Sequence, residues 1–218
     1  MKGDRIPAKV LATRIIANLE PAMADALQVP AGFRSAALLT TTCDDVTYVA
    51  LDEATKRVAS AVSYARSFYG GADNANTALA GEVLGILTAP DPASVRSALE
   101  CCVEAIEQEI SFVSANDEDS VIYFAHCVSR TGAYLSQLAG IPEGDSLAYL
   151  IAPPLEAMFG VDAALKAADV RMCVLYGPPS ETNFGGALLT GTQSACKAAC
   201  EAFAAAVEAV AATPREDV

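Results

Sequence analysis

The sequence predicts an α+β fold built twice in one chain, antiparallel sheets with helices packed on them, and three observations carry that prediction. The segments of the two halves follow one order. Short stretches recur: Tyr48–Thr55 is echoed by Tyr149–Ala157, and Ile86–Glu100 by Leu188–Glu201, one residue shorter. Apolar runs alternate with Gly, Pro and polar punctuation that separates strands from capped helices. A spacing of roughly a hundred residues is the size of a domain and exceeds the ~20–50 residues of a solenoid repeat. With 218 residues, 53% of them hydrophobic, each half can bury its own core.

Val10–Ile16 reads as a strand, and Glu20-Pro21 opens a short helix with proline in its first turn. Ser35–Thr40 and Val46–Ala50 read as two strands joined by the polar loop Thr42–Asp45, followed by a helix over Glu53–Ser60. Val62–Tyr69 is a strand ending in Gly70-Gly71, Asp73–Thr77 a polar loop, and Glu82–Thr88 the next strand. Asp91-Pro92 caps a helix reaching about Glu109. The polar segment 111–120, with Asn116–Asp119, separates a first domain over 1–110 from a second over 121–218. There, Val121–Val128 is a strand, Thr131–Ala139 a helix stopped by Gly140, and Leu147–Ile151 a strand. Pro154 starts a helix to about Ala168, Val170–Tyr176 is a strand, Gly177–Phe184 a loop and Ala187–Thr190 a strand, and Thr192 caps the last helix.

The 27 acidic against 14 basic residues give a net charge of −13, which disfavours nucleic acid because phosphate binding needs clustered Lys and Arg. Scattered acidity serves solubility first; the sharper reading is that some of it lines a passage and attracts cations. No apolar run approaches the ~20 residues of a membrane span. Met1–Arg5 leads into an amphipathic strand instead of a signal-peptide core, so a cytoplasmic setting is expected. The seven cysteines, an odd number in apolar surroundings, suit reduced buried thiols.

Chemistry-bearing residues are sparse. His126, the single histidine, lies inside an apolar strand and reads as a core residue. Cys196 and Cys200, one helical turn apart, make at most half of a soft-metal site, and no second pair completes it. Gly70-Gly71 and Gly185-Gly186 lack the spacing of phosphate loops and read as tight turns. Asp44-Asp45 is the densest acidic point; it is either a solvated turn or, with Glu82, a recognition point for a cation. Phe68-Tyr69 and Asn183-Phe184 flank two equivalent loops as candidate closing elements.

Several long motifs, in order, carry a resemblance: Cys43–Tyr48, Asp52–Lys56, Tyr64–Ser67, Ala80–Val83, His126–Gly132, Ala148–Glu156, Asp162–Asp169, Pro179–Phe184 and Leu188–Lys197. Across nearly its whole length the chain resembles the tandem-domain bacterial microcompartment shell proteins, and among them the EutL family of the ethanolamine-utilisation compartment. The resemblance implies two circularly permuted shell domains, a homotrimer imitating a hexamer, edge-to-edge packing with other shell proteins in a compartment shell in the cytoplasm, and no catalytic role. It implies a gated central pore with Tyr69, Asn183 and Phe184 as plugs on the loops 69–77 and 176–184. It also implies side channels that accept ethanolamine at Asp44, Asp45, Glu82 and Phe112. No cofactor is required, no metal is implied, and cobalamin binding is a property reported for some members. The rival readings are a sensing module for a cobalamin or amine, and a small enzyme built on His126 or a cysteine.

Overall fold

The structure is a computed structural model, and it describes residues 1–68, 79–178 and 183–215. The chain divides into two compact units: a C-terminal unit of Met1–Ile6, Ser111–Thr131 and Ser136–Val218, and an N-terminal unit of Pro7–Ile110 with Gly132–Leu135. Among the described residues no helix is long and apolar enough to cross a membrane.

After a first strand, β1 (Arg5–Pro7), the N-terminal unit runs β2 (Val10–Ile16), α1 (Pro21–Ala26), β3 (Ser35–Thr41), α2 (Asp44–Arg57), β4 (Ala61–Ser67), β5 (Val83–Ala89) and α3 (Pro92–Glu104). A π-helical turn, Ala105–Glu109, ends it. Its four strands form an antiparallel sheet in the order β2-β3-β5-β4. Asp91 caps α3, its Oδ1 accepting from Ala93 N and Ser94 N at 2.9 Å each.

One expectation fails here, and the site depends on the failure. The loop 42–45, strand 46–50 and helix 53–60 are replaced by a single helix, α2. Val46, Val49, Ala50 and Ala54 are buried at helical spacing, and the acidic pair occupies the first turn while Lys56 and Arg57 close the last. Both ends therefore complement the helix dipole. A five-residue apolar run fits strand and helix alike; here the longer register decided.

The C-terminal unit adds β6 (Ser111–Ser114), β7 (Ile122–Val128), α4 (Ala133–Ala139), β8 (Ser146–Ala152), α5 (Pro154–Ala167), β9 (Val170–Tyr176), β10 (Gly185–Gly191) and α6 (Gln193–Ala212), except that the start of α4 clusters with the N-terminal unit. Its six-stranded sheet has the order β1-β6-β7-β8-β10-β9. Part of the expected linker is thus a strand: Val113 and Ser114 pair with Tyr123 and Ile122, and Ser114 also exchanges backbone bonds with Gly3 and Asp4. Phe203, Ala199, Cys196 and Cys200 of α6 close the core over Ala148, Leu150 and Leu189. Gly185 and Gly186, expected at a turn, open β10; a Cβ at Gly186 would stand 1.8 Å from the Leu150 carbonyl oxygen, so glycine there answers a close backbone approach.

The strand registers fix the internal correspondence. Leu38 opposes Ile86 on β5 as Tyr149 opposes Leu188 on β10, so Ile86 and Leu188 are true counterparts, as the sequence suggests. The other sequence match is not structural: Tyr48 lies on α2 and Tyr149 on β8. Tyr149 instead corresponds to Leu38, and α5 corresponds to α2.

Candidate functional site

The turn between β3 and α2 is held by hydroxyls. Cys43 N donates to Thr41 Oγ1 at 3.2 Å, Thr47 Oγ1 donates to the Cys43 carbonyl at 2.7 Å, and the two threonine oxygens stand 2.7 Å apart. This tie turns the start of α2 inward, and Asp44 and Asp45 are only 7% and 6% exposed. The acidic pair is not a solvated turn.

Glu82 is brought to the same place by backbone. Its N–H donates to the Thr41 carbonyl at 2.9 Å, and its own carbonyl accepts from Phe68 N at 2.9 Å. The preceding Gly81 has φ +64°, and a Cβ there would lie 2.0 Å from the Thr41 oxygen, so only glycine permits this approach. Glu82 itself is exposed, and it lies near enough to the buried Asp44 for that charge to act on it. Ser67, at the end of β4, hydrogen-bonds both the Asp44 carboxyl and the Tyr48 hydroxyl, and Asp45 N donates to Asp44 Oδ1 at 2.9 Å.

The electrostatics follow from this burial. The Asp44 carboxyl is raised above its ordinary value by burial, partly offset by the Ser67 hydroxyl and the Asp45 amide. Glu82 is raised by loss of solvent and then by the charge of Asp44. Tyr48 is pushed up to about 12 by burial, with the charges of Asp44 and Asp45 adding to it against the Ser67 bond. Burial and the Asp45 charge push the Cys43 thiol up. Each group resists becoming an anion chiefly because burial takes it out of water, and at Cys43, Tyr48 and Glu82 the neighbouring carboxylates add to the effect. Tyr48, Ser67, Cys43 and Gly81 were not among the site residues expected from the sequence; treating 44–54 as one helix would have placed Tyr48 one turn above Asp44.

A pH dependence follows. Folded values above the ordinary 3.8 of Asp44 and 4.5 of Glu82 mean that the folded chain holds these protons more tightly. Their contribution to stability is complete below the ordinary values and is lost as pH rises through the raised ones. Asp44→Asn is expected to flatten that decline and to raise stability at neutral pH by about 1 kcal/mol. Urea denaturation from pH 4.5 to 8 measures it, and a slope identical to the parent's would refute it.

The other expected residues lie elsewhere. Phe112, 5% exposed on β6, belongs to the C-terminal unit, where its ring stacks on Phe124 at 5.2 Å and meets Phe184 at 6.0 Å. A residue expected at the channel and one expected at the gate are therefore ring neighbours. Asn183, with φ +65°, directly precedes Phe184. Tyr69 lies outside the described residues, as do the rest of the 69–77 loop and residues 179–182.

No protein-family model matches the chain. The bacterial microcompartment shell protein EutL of Clostridium perfringens is 60% identical over 214 residues, covering 98% of this chain and 99% of its own. The crystal structure of the ethanolamine utilization protein EutL from Leptotrichia buccalis is 65% identical, with a TM-score of 0.95 and complete coverage of both chains. The chain belongs to the EutL family of bacterial microcompartment shell proteins. EtuB from Clostridium kluyveri, 19% identical with a TM-score of 0.75 over 94% of this chain and 90% of its own, shares the fold.

As an EutL-family protein the chain is a component of a microcompartment shell, built to assemble with other shell proteins, and its relatives are named as shell proteins, not enzymes. His126, Cys196 and Cys200 have packing roles. His126 stacks on Phe124 at 5.4 Å with the rings 8° apart. Cys196 and Cys200 fill, in α6, the core positions that Val95 and Leu99 fill in α3. Among the described residues no group of three or more His, Cys, Asp or Glu is placed to hold a metal ion.

Proposed function

We propose that three copies of this chain close into a tile of six similar domains, that Tyr69, Asn183 and Phe184 gate a pore at its centre, and that Asp44, Asp45 and Glu82 admit small organic cations of the ethanolamine class by a separate route. The single observation that carries the amine reading is the acidic cluster itself: two adjacent carboxylates, nine-tenths buried, with an exposed third on which the charge of Asp44 acts. Ethanolamine is protonated at neutral pH, and its ammonium group has three donors for those oxygens, while Ser67 and Tyr48 are hydrogen-bonding groups within reach of the same cluster. The duplicated fold supports the tile, since three double domains supply six equivalent wedges.

Calorimetric titration of the full chain with ethanolamine tests the site. The Asp44→Asn, Glu82→Gln double variant is expected to lose at least tenfold in affinity while sedimenting as the parent does. Unchanged affinity would remove both residues from the role, and a monomer at all concentrations would remove the tile.

A further inference from the structure

Cys127 of β7 and Cys196 of α6 both belong to the C-terminal unit, and the strand registers bring them over one point of its sheet. Cys127 opposes Ala148 on β8, and Ala148 opposes Leu189 on β10. The three make a row across the sheet, with neighbours roughly 5 Å apart, and all face the core beneath α6. Cys196 lies over the same row: its thiol reaches the Leu189 carbonyl at 3.9 Å and meets the Ala148 backbone amide. From the other side, the Cys127 thiol reaches the Gln193 carbonyl at 3.9 Å. Gln193 and Cys196, three residues apart in the first turn of α6, share one face of that helix.

The repeat shows that packing alone does not ask for sulfur here. By the same registers Ile15 of β2 corresponds to Cys127, as Ala37 does to Ala148, and Val95 of α3 corresponds to Cys196. Aliphatic side chains occupy both positions in the N-terminal unit, and thiols occupy both in the C-terminal one. The two thiols differ in access. Cys196 is fully buried, whereas Cys127 is half-buried two residues before the exposed Ser129 and Arg130. Burial raises the Cys127 thiol above its ordinary value, and the Lys197 ammonium opposes that rise. Cys196 is pushed up to about 11, by burial first and then by the charge of Cys127. An accessible thiol beside a lysine can meet an oxidant, and a second thiol behind it can resolve the product.

We infer that Cys127 and Cys196 are an oxidation site for hydroperoxides, closing to a disulfide that staples β7 to the first turn of α6. The Cys127 thiolate attacks the hydroperoxide, whose O–O bond breaks; the sulfur becomes a sulfenic acid, and the alcohol, or water in the case of hydrogen peroxide, leaves. The Cys196 thiolate then attacks that sulfur, the S–O bond breaks, and the hydroxide departs as water with the proton Cys196 has given up. Two thiols and one hydroperoxide give one disulfide, one alcohol and one water. Cys200, a helical turn farther along α6, and Cys173, on β9, stay as thiols. The new bond closes residues 127–196 into one covalent loop and so narrows the unfolded ensemble of the unit.

The test treats the reduced full chain with hydrogen peroxide, blocks free thiols with iodoacetamide in urea, and maps the peptides by mass spectrometry. The expected product carries two blocking groups fewer than its seven cysteines allow, with Cys127 linked to Cys196, and dithiothreitol restores all seven. Its urea midpoint is expected to lie above that of the reduced chain. Cys127→Val and Cys196→Val, which place aliphatic side chains where the N-terminal unit has them, are each expected to abolish the link and the shift in midpoint. Cys200→Ala is expected to keep both. The peptide map of the parent decides the matter by itself, whatever the folding of a variant. Seven free thiols after treatment, a link that joins other cysteines, or a Cys127 oxidised past the sulfenic stage beside a free Cys196 would each overturn the pair.

Discussion

Asp52→Ala is expected to lower the unfolding free energy by about 3–5 kcal/mol, the range for stranding the partners of a buried charge. Asp52 is fully buried on α2, and its two carboxylate oxygens are used separately: Oδ2 accepts from Gly132 N at 2.7 Å and Oδ1 from Leu135 N at 2.9 Å. These are amides at the start of α4, without partners inside that helix, and removal of the acceptor leaves both buried and unpaired. Lys56 Nζ, 3.9 Å from Oδ2, is the accompanying cation. Asp52→Asn separates charge from geometry. It keeps one acceptor and turns an NH2 toward the other amide, so it is expected to cost about 1–3 kcal/mol. The carboxyl of Asp52 is raised by burial, against the two amides and Lys56 that favour its charge. The carboxylate therefore weakens the fold as pH rises through the raised value, and the loss in Asp52→Asn should be smaller at pH 8 than at pH 5. Gly132 is held by the same packing: a Cβ there would lie 2.6 Å from Thr55 Oγ1 and 2.8 Å from Asp52 Oδ1. Urea midpoints, with hydrogen exchange at Gly132 and Leu135, measure the effect; a loss below about 1 kcal/mol for Asp52→Ala would show that water replaces the carboxylate.

The two halves, nearly every strand and the caps at Asp91 and Thr192 were legible because they depend on local signals: period-two alternation, proline at a first turn, an acid or hydroxyl before a helix. Three features were not, and each is a matter of tertiary context. Val46–Ala50 can be strand or helix by its own composition; packing against the sheet selects the helix and takes Asp44 and Asp45 out of water. Ser111–Ser114 looks like linker because its polar neighbours dominate, yet the edges of β1 and β7 give its backbone partners. Tyr48 and Tyr149 share a residue type without a place in the fold, a coincidence that only strand register exposes. At the site, Asp44 and Glu82 could be named from sequence as acids near strand ends. The clamp on Glu82 through Thr41 and Phe68, and the Ser67 bridge from Asp44 to Tyr48, are long-range backbone and hydroxyl contacts with no local signature.

The repeat also makes a testable statement about packing, since the two units solve one contact with different volumes. Where α2 has Ala50, α5 has Gly160; where α3 has Cys102, α6 has Phe203, and all four are buried. A Cβ at Gly160 would come within 2.7 Å of Phe203 Cδ2 and 2.8 Å of Cε2, so the glycine makes room for the ring. Gly160→Ala alone gains about 1 kcal/mol of helix propensity but forces the ring aside, a strain of about 1–3 kcal/mol. Phe203→Cys alone removes a fully buried ring and should cost about 3–5 kcal/mol through lost burial and the cavity left behind. Together they rebuild the contact of the N-terminal unit. The new methyl enters vacated space, the strain disappears while the propensity gain remains, and the double variant should be more stable than the sum of the single effects by about 1–3 kcal/mol. A double-mutant cycle in urea decides it. Additive effects would mean that Gly160 serves something other than the ring, and that the paired exchange of volumes between the units is accidental.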